Sequence, residues 1–320
     1  MVAIGYKLAS EEHDGKKLVR LAQEAERVGF SFALISDHFH PWINKQGHSP
    51  FVWTVLGGIA EATDKIEVGT SVTCPTMRTH PAVIAQAAAT TAQMFDGRFF
   101  FGVGSGENLN EHIIGAHWPE TDVRLEMLEE AVEVIRELWK GKQTSHYGKH
   151  YTVENARIYT LPDTPPPILV AAAGPKAATL AGRIGDGYVG TSPEKKVIEK
   201  FRAAGGGGKP TYGELGCCWA PTLDEAEHIV HEWWPNAGLK GELTQELKTP
   251  AHFEQAAENV KAEELSSSMP CGPDASKYLD AIKSYADAGY DHVGLHQIGP
   301  DQEGFFKFFE SELLPELSKG

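Results

Sequence analysis

The sequence predicts a (β/α)8 TIM barrel with insertions, and three observations carry that expectation. Eight short apolar runs recur along the chain, at residues 2–6, 32–35, 66–72, 99–103, 168–172, 187–190, 215–219 and 292–297. Longer stretches with helical periodicity lie between them. The 320 residues, 41% of them hydrophobic, suffice for one large barrel core. Several runs are continuously apolar, as strands covered on both faces are. Strand then helix, repeated eight times, reads as a barrel; a doubly wound open sheet shares the alternation and stands as the alternative topology.

The elements follow in order. The first run starts directly after Met1, so the chain reads as one without a signal peptide. Residues 16–28 form a helix pattern, with Leu18, Leu21, Ala22 and Ala25 on one face. Residues 81–94 open on Pro81, which suits a first helical turn. Residues 125–139 repeat the pattern through Leu128, Val132, Ile135 and Leu138, and 277–288 does so before stopping at Gly289. Two stretches break the rhythm. Residues 140–167 are turn-rich and end in Pro165-Pro166-Pro167, which suits a strand excursion. Residues 235–273 hold Gly238, Gly241, Pro250, a helical patch at 253–261 and Ser266-Ser267-Ser268. An insertion there would sit over the barrel mouth or extend from it. The glycine run 205–208 reads as a flexible connection, because no Lys-Ser/Thr follows it in phosphate-loop context.

Composition narrows the function. Forty-four acidic residues against 29 basic give a formal net charge of −15, which argues against nucleic acid and against an anionic membrane surface. A small anion is not excluded, since local amides and a few cations overrule net charge. The four cysteines, Cys74, Cys217, Cys218 and Cys271, form no CxxC pair, and no apolar run is long enough to span a bilayer. The expected compartment is reducing and cytoplasmic.

Barrel active sites lie just beyond the C-terminal ends of the strands. There the sequence places Glu11, Glu12 and His13 after the first strand, and Asp37-His38-Phe39-His40-Pro41-Trp42 after the second. Thr73-Cys74-Pro75-Thr76 follows the third, Gly104-Ser105-Gly106-Glu107 the fourth, Ala172-Ala173-Gly174-Pro175 the fifth, and His296 the last. Asp37 and His38 fit a general base with its orienting carboxylate, a pair of metal ligands, or a capped turn. Metal is disfavoured, since strand one supplies no His-x-His and strand five ends in small residues rather than a ligand. Glycine turns after the fourth and fifth strands let a backbone approach a flat or anionic ligand, though each alone reads equally as a tight turn. Glu107 beside an apolar cofactor would hold a proton by desolvation; the alternative is a solvated loop carboxylate. Of the tryptophans, only Trp42 is placed by a neighbouring rim motif; the others read as packing residues.

The chain resembles the luciferase-like superfamily, and more narrowly the F420-dependent glucose-6-phosphate dehydrogenase family. The matching residues are Gly5-Tyr6-Lys7, Ser36-Asp37-His38-Phe39 with Pro41-Trp42, Gly69-Thr70-Ser71-Val72, Pro81-Ala82-Val83-Ile84-Ala85-Gln86, Gly102-Val103-Gly104 with Gly106-Glu107 and Asn110-Glu111, and Ala181-Gly182-Arg183 with Gly185-Asp186-Gly187. The resemblance implies one luciferase-like TIM-barrel domain over residues 1–320 with an insertion at about 235–273, coenzyme F420 as cofactor, and a homodimer. Carried over position by position, Asp37, Ser71, Val72, Gly106, Glu107, Asn110, Ala172, Ala173 and Gly174 would line the deazaflavin. His38, Trp42 and Glu107 would be catalytic, with Glu11 also facing the substrate. A cis Ser71–Val72 peptide is implied too. The implied reaction moves a hydride between an alcohol or carbonyl and C5 of the deazaflavin, with His38 exchanging the hydroxyl proton and Glu107 a proton at N1. Asp37 would orient His38 or hold the cofactor. Members that act on glucose 6-phosphate carry cations for its phosphate. Here Pro193-Glu194, Gln255 and residues 266–270 stand at the matching places, with Lys195 and Lys196 displaced, so the expected small-molecule substrate is uncharged. An FMN-dependent luciferase-like monooxygenase, a non-catalytic flavin- or deazaflavin-binding protein and a metal-dependent barrel hydrolase are the alternatives.

Overall fold

The computed structural model describes residues 2–319; residues 1 and 320, the ends of the expected domain, lie outside the described residues. In chain order the strands are β1 (Ala3–Leu8), β2 (Phe32–Ile35), β3 (Glu67–Thr70), β4 (Phe99–Val103), β5 (Thr144–Tyr147), β6 (Thr152–Ala156), β7 (Ile168–Ala171), β8 (Gly187–Gly190), β9 (Thr211–Cys217) and β10 (His292–Gln297). The longer helices are α1 (Gly15–Val28), α2 (Val52–Ala62) and α3 (Pro81–Phe95), then the short α4 (Asn108–Glu111), α5 (Thr121–Leu138), α6 (Pro175–Ile184), α7 (Lys195–Phe201) and α8 (Leu223–Trp233). After them come α9 (Leu243–Glu246), α10 (Pro250–Ala256), α11 (Ala262–Ser268), α12 (Ala275–Ala288) and α13 (Gln302–Phe308). Eight strands close into a barrel in the order β1, β2, β3, β4, β7, β8, β9, β10, with every pair parallel. The open-sheet alternative falls with that closure. The excursion expected at 140–167 is the antiparallel hairpin β5–β6, outside the barrel.

Local chemistry sets the elements. The Asp14 side chain accepts the Lys17 N–H to start α1, and Gly29 ends it at φ 97°. Leu18, Leu21, Ala22, Ala25 and Val28 form the buried stripe between those caps. Asp274 and Gly289 bound α12 in the same way. Inside the barrel, Phe32, Leu34, Phe100, Leu169, Val189 and Tyr212 form one buried cluster. Gly5 and Gly69 make room for its rings: a Cβ there would lie 2.4 Å from Phe32 and 1.9 Å from Phe100.

Two expectations need correction. The strand expected at 66–72 is β3, and it ends at Thr70, after which the Ser71–Val72 peptide is cis. The strand expected at 215–219 begins four residues earlier, at Thr211. Tyr212 packs in the barrel interior and Glu214 pairs there with Lys7, so this strand's inward face is not a plain apolar run. The glycine run 205–208 is a connection, as expected: a wide turn extends α7 beyond Phe201, and Gly205, at φ 106°, breaks the helix there. Helices α2 and α8 had no counterpart in the sequence reading.

The 235–273 insertion folds back on the rim. Its helical patch is not 253–261 but α10 and α11, split by a break after Ala257. The Ser267 and Ser268 hydroxyls satisfy backbone carbonyls of α11 and its first turn, which lets the serine triplet stay helical. Phe253 of α10 buries against Ile43 and Leu109 and meets Trp42 at 5.2 Å. That contact lays the insertion over the barrel mouth.

Candidate active site

The chain leaves β2 at Ile35 and turns into Ser36, Asp37 and His38. His38 Nδ1 lies 3.1 Å from the His40 carbonyl, and Nε2 lies 3.5 Å from Glu11 Oε1. Glu11 comes from the loop after β1 and is buried. Its other oxygen accepts the Ser36 O–H at 2.6 Å. Burial pushes the Glu11 carboxyl upward, but His38, Lys7 and the Ser36 hydroxyl outweigh it and hold it below the ordinary value. The Trp42 ring stands 5.0 Å from the imidazole. Gln46 accepts the N–H groups of Trp42 and Ile43 and donates to the Trp233 carbonyl, which fixes this loop against α8.

Asp37 does not orient His38. It accepts the Thr73 hydroxyl at 2.8 Å and Arg78 at 2.9 Å, so it faces the β3 loop. The carboxylate against His38 is Glu11, which strand-end order on the barrel puts beside it. Arg78 also lies 3.7 Å from Glu111, whose other oxygen accepts the Arg78 N–H at 2.7 Å. Burial raises the Glu111 carboxyl to about 7 despite Arg78. Glu111 is thus a second acid in the loop of Glu107. The signal for Glu111 was its place four residues beyond Glu107, one helical turn on.

Glu107 is half-buried at the start of α4, and Asn110 Nδ2 reaches it at 3.4 Å. Asn110 Oδ1 accepts the N–H groups of Phe39 and His40, tying the β4 loop to the histidine loop. Gly106 adopts φ 82°, and a Cβ there would lie 2.6 Å from Cys74 Sγ. A Cβ on Gly104 would press on Val72 at 2.7 Å and approach Ala171 at 3.6 Å. These small groups, with half-buried Ser71 and Val72, leave a shallow apolar cradle on the rim. Lys7 Nζ supports it from below, donating to the Ser71 carbonyl at 3.0 Å and to Glu214 at 2.7 Å. Glu214 was not singled out from the sequence, and Lys7 entered it only within the matching stretch Gly5-Tyr6-Lys7.

Across the rim, Ala172 is buried and Ala173 exposed, and Gly174 precedes α6. A Cβ on Gly174 would meet nothing within 4 Å. Ala178 makes the first intrahelical bond, to the Gly174 carbonyl, so the Lys176 and Ala177 N–H groups precede the helical ladder. Such an end suits an anion. The displaced Lys195 and Lys196 are exposed on α7, Gln255 is exposed on α10, and Ser266 bonds Glu227.

Comparison with known proteins gives the family and the fold. A family model described as luciferase-like monooxygenase matches residues 3–292. An F420-dependent glucose-6-phosphate dehydrogenase of Microbacterium testaceum is 36% identical, over 98% of this chain and 97% of that protein. Its counterpart in Mycobacterium avium is 34% identical, over 99% and 98%. Among solved structures, an F420-dependent secondary alcohol dehydrogenase in complex with an F420-acetone adduct superposes with a TM-score of 0.91 at 31% identity, covering 98% of both chains. A coenzyme F420-dependent tetrahydromethanopterin reductase of Methanopyrus kandleri, at 21% identity and a TM-score of 0.76 over 98% of this chain and 99% of that one, shares the fold.

Proposed function

The chain belongs to the luciferase-like monooxygenase family, and on that premise we propose that it is a coenzyme F420-dependent oxidoreductase acting on an alcohol or its carbonyl product. The observation that carries the reading is the Glu11–His38–Trp42 triplet standing on the same rim as the small-residue cradle at Ser71, Val72, Gly104 and Gly106. Nearly full-length kinship to F420-dependent dehydrogenases supports it.

The residues present fit the coenzyme. Val72, Gly104, Ala171 and Ala172 offer apolar small-residue surface for a flat ring, and the open Gly174 leads to the start of α6, where free N–H groups suit an anionic tail. Asp37, Ser71, Gly106, Asn110 and Ala173 complete this lining. When bound, a 5-deazaflavin accepts or returns a hydride at C5. His38 takes the proton of the substrate hydroxyl, or returns it in the reverse direction. Glu11 orients the imidazole. Trp42 walls the substrate end and faces the imidazolium with its ring. Glu107 exchanges a proton at N1 of the coenzyme. Arg78 holds Asp37 and Glu111 in place and is a positioning residue.

The substrate is uncharged, because Lys195 and Lys196 lie exposed on α7, Ser266 is engaged by Glu227 of α8, and Ser267 and Ser268 are engaged by backbone carbonyls of their own segment. The 1–320 span acts as one barrel unit, with the 235–273 insertion as its cover. The protein is a cytoplasmic homodimer. Phe51, Val83 and Met94 expose apolar surface at the start of α2 and along α3, where a second copy would bury them. Among the described residues no helix is long and apolar enough to cross a membrane.

The test is spectral. Purified protein, F420 and a panel of alcohols should bleach the deazaflavin absorbance with at least one uncharged alcohol, and FMN should not substitute. Bleaching by glucose 6-phosphate alone would overturn the uncharged substrate, and tight FMN binding with oxygen uptake would favour a monooxygenase.

A further inference from the structure

Beside Glu11, His38 and Trp42 stands a second triplet of the same residue types that the proposed chemistry leaves unused. His296 Nε2 lies 3.0 Å from Glu12 Oε1. Glu12 Oε2 accepts the Gly299 N–H at 2.8 Å. Trp234, at the end of α8, meets the His296 ring edge-on at 4.6 Å. Glu12 and His296 are 4% and 3% exposed, so this is a built pair and not a surface contact.

The strand geometry aims His296 inward. Along β10, His292 packs against Phe32 and Tyr212 of the barrel interior, and a Cβ on Gly294 would lie 2.9 Å from Leu34. Side chains on one face of a strand recur every second residue, so His296 is the next inward position, at the C-terminal layer. There it pairs across to Gly216, so β9 puts no side chain beside the ring, and Met269 and Ile298 border that position at 3.7 and 3.9 Å from where a Cβ would stand. Its Nδ1 makes no protein hydrogen bond among the described residues and is not fully sealed from solvent. Glu12 thus occupies one ring nitrogen and leaves the other for a ligand.

We propose that His296, held by Glu12, is a second substrate-binding group, which bonds an uncharged oxygen of the substrate other than the one His38 serves. This rests on the reading of the rim as an F420-dependent alcohol site. β2 and β10 flank β1 on the barrel wall, with some of their Cα atoms within 8 Å of each other. His296 at the end of β10 and His38 three residues beyond β2 would then bracket a small molecule, with one polar oxygen at each side. Glu11 and Glu12 are adjacent and both buried, so an anion between the imidazoles would face two carboxylates. A hydroxyl or carbonyl fits this site and a phosphate does not.

Cyclohexanol against its 1,2-, 1,3- and 1,4-diols tests the proposal. At least one diol should exceed cyclohexanol by about tenfold in kcat/KM, the size of one hydrogen bond. In His296→Leu that ratio should fall to about one, and Glu12→Gln should reduce it. His296→Asn, which keeps a polar atom where Nδ1 stands, should retain part of it and serves if the leucine variant does not fold. In the coenzyme-free protein the preferred diol should also move the His296 imidazole ¹⁵N resonances, and cyclohexanol should not. Equal use of all four alcohols with no resonance shift overturns the proposal while leaving the F420 reading intact. A diol preference that survives His296→Leu overturns it as well. Resonance shifts with the diol but no turnover of any alcohol would uphold the binding site and refute the oxidoreductase.

Discussion

Each acid in the site is defined by what touches it. Glu11 and Asp37 both flank His38, one by fold and one by sequence, and only Glu11 lies against its ring. An Asp-His dipeptide invites pairing of the two, but consecutive side chains leaving a strand point to opposite sides. The correct partner sits 27 positions away and is adjacent only because β1 and β2 pair. Two substitutions check the assignments. Glu107→Gln should lower kcat by about 10²–10⁴, the range of one acid–base group, with F420 affinity within a few-fold of wild type. Fluorescence titration beside steady-state kinetics reads both, and near-normal turnover would remove Glu107 from the chemistry. Glu11→Gln should also cut kcat, by about tenfold or more, because His38 loses the carboxylate that lies against its Nε2 and orients the ring. Changes confined to KM would instead make Glu11 a substrate contact.

At the level of elements, the sequence was most legible where burial is two-sided. The runs at 32–35, 99–103, 187–190 and 292–297 coincide with β2, β4, β8 and β10. Strand β9 was harder because Tyr212 and Glu214 point into a barrel whose upper layer is polar. Helix α2 lies in a stretch whose Phe51 start lacks a side-chain cap, so no start signal marked it. The insertion was legible as an interruption, but not its docking, which depends on the long-range contact of Phe253 with Trp42. Phe253 is fully buried, so Phe253→Ala should destabilise the protein by about 3–5 kcal/mol and raise KM by loosening the Trp42 wall. Urea unfolding with kinetics distinguishes this from a stability loss alone. Gly106→Ala should cost about 1–3 kcal/mol, since its φ of 82° and the 2.6 Å approach to Cys74 tolerate no Cβ.

The whole molecule is an acidic barrel whose stability carries opposing proton linkages. Glu111 holds its proton up to about 7 when folded against 4.5 ordinarily, so across that interval the folded state binds more protons and stability falls as pH rises. His13, with burial as the main cause, is held at about 4 against 6.5, so there the unfolded state binds more protons and stability rises with pH. Glu111→Gln should therefore remove a loss of up to about 1.4 kcal/mol per pH unit between those limits, and His13→Asn should remove the opposite slope. Urea melts of the coenzyme-free protein from pH 4.5 to 7 measure both; parallel curves for wild type and Glu111→Gln would refute the first.

The barrel itself was readable because eight alternations admit few closures. The rim was readable in part, because strand ends name candidates without saying which of them meet. The direct test of the whole account is an anaerobic mixture of the protein with F420 and an uncharged secondary alcohol, followed by absorbance. The account predicts bleaching of the deazaflavin that His38→Asn abolishes. Full absorbance with every alcohol tried, from protein shown to bind F420, would contradict it.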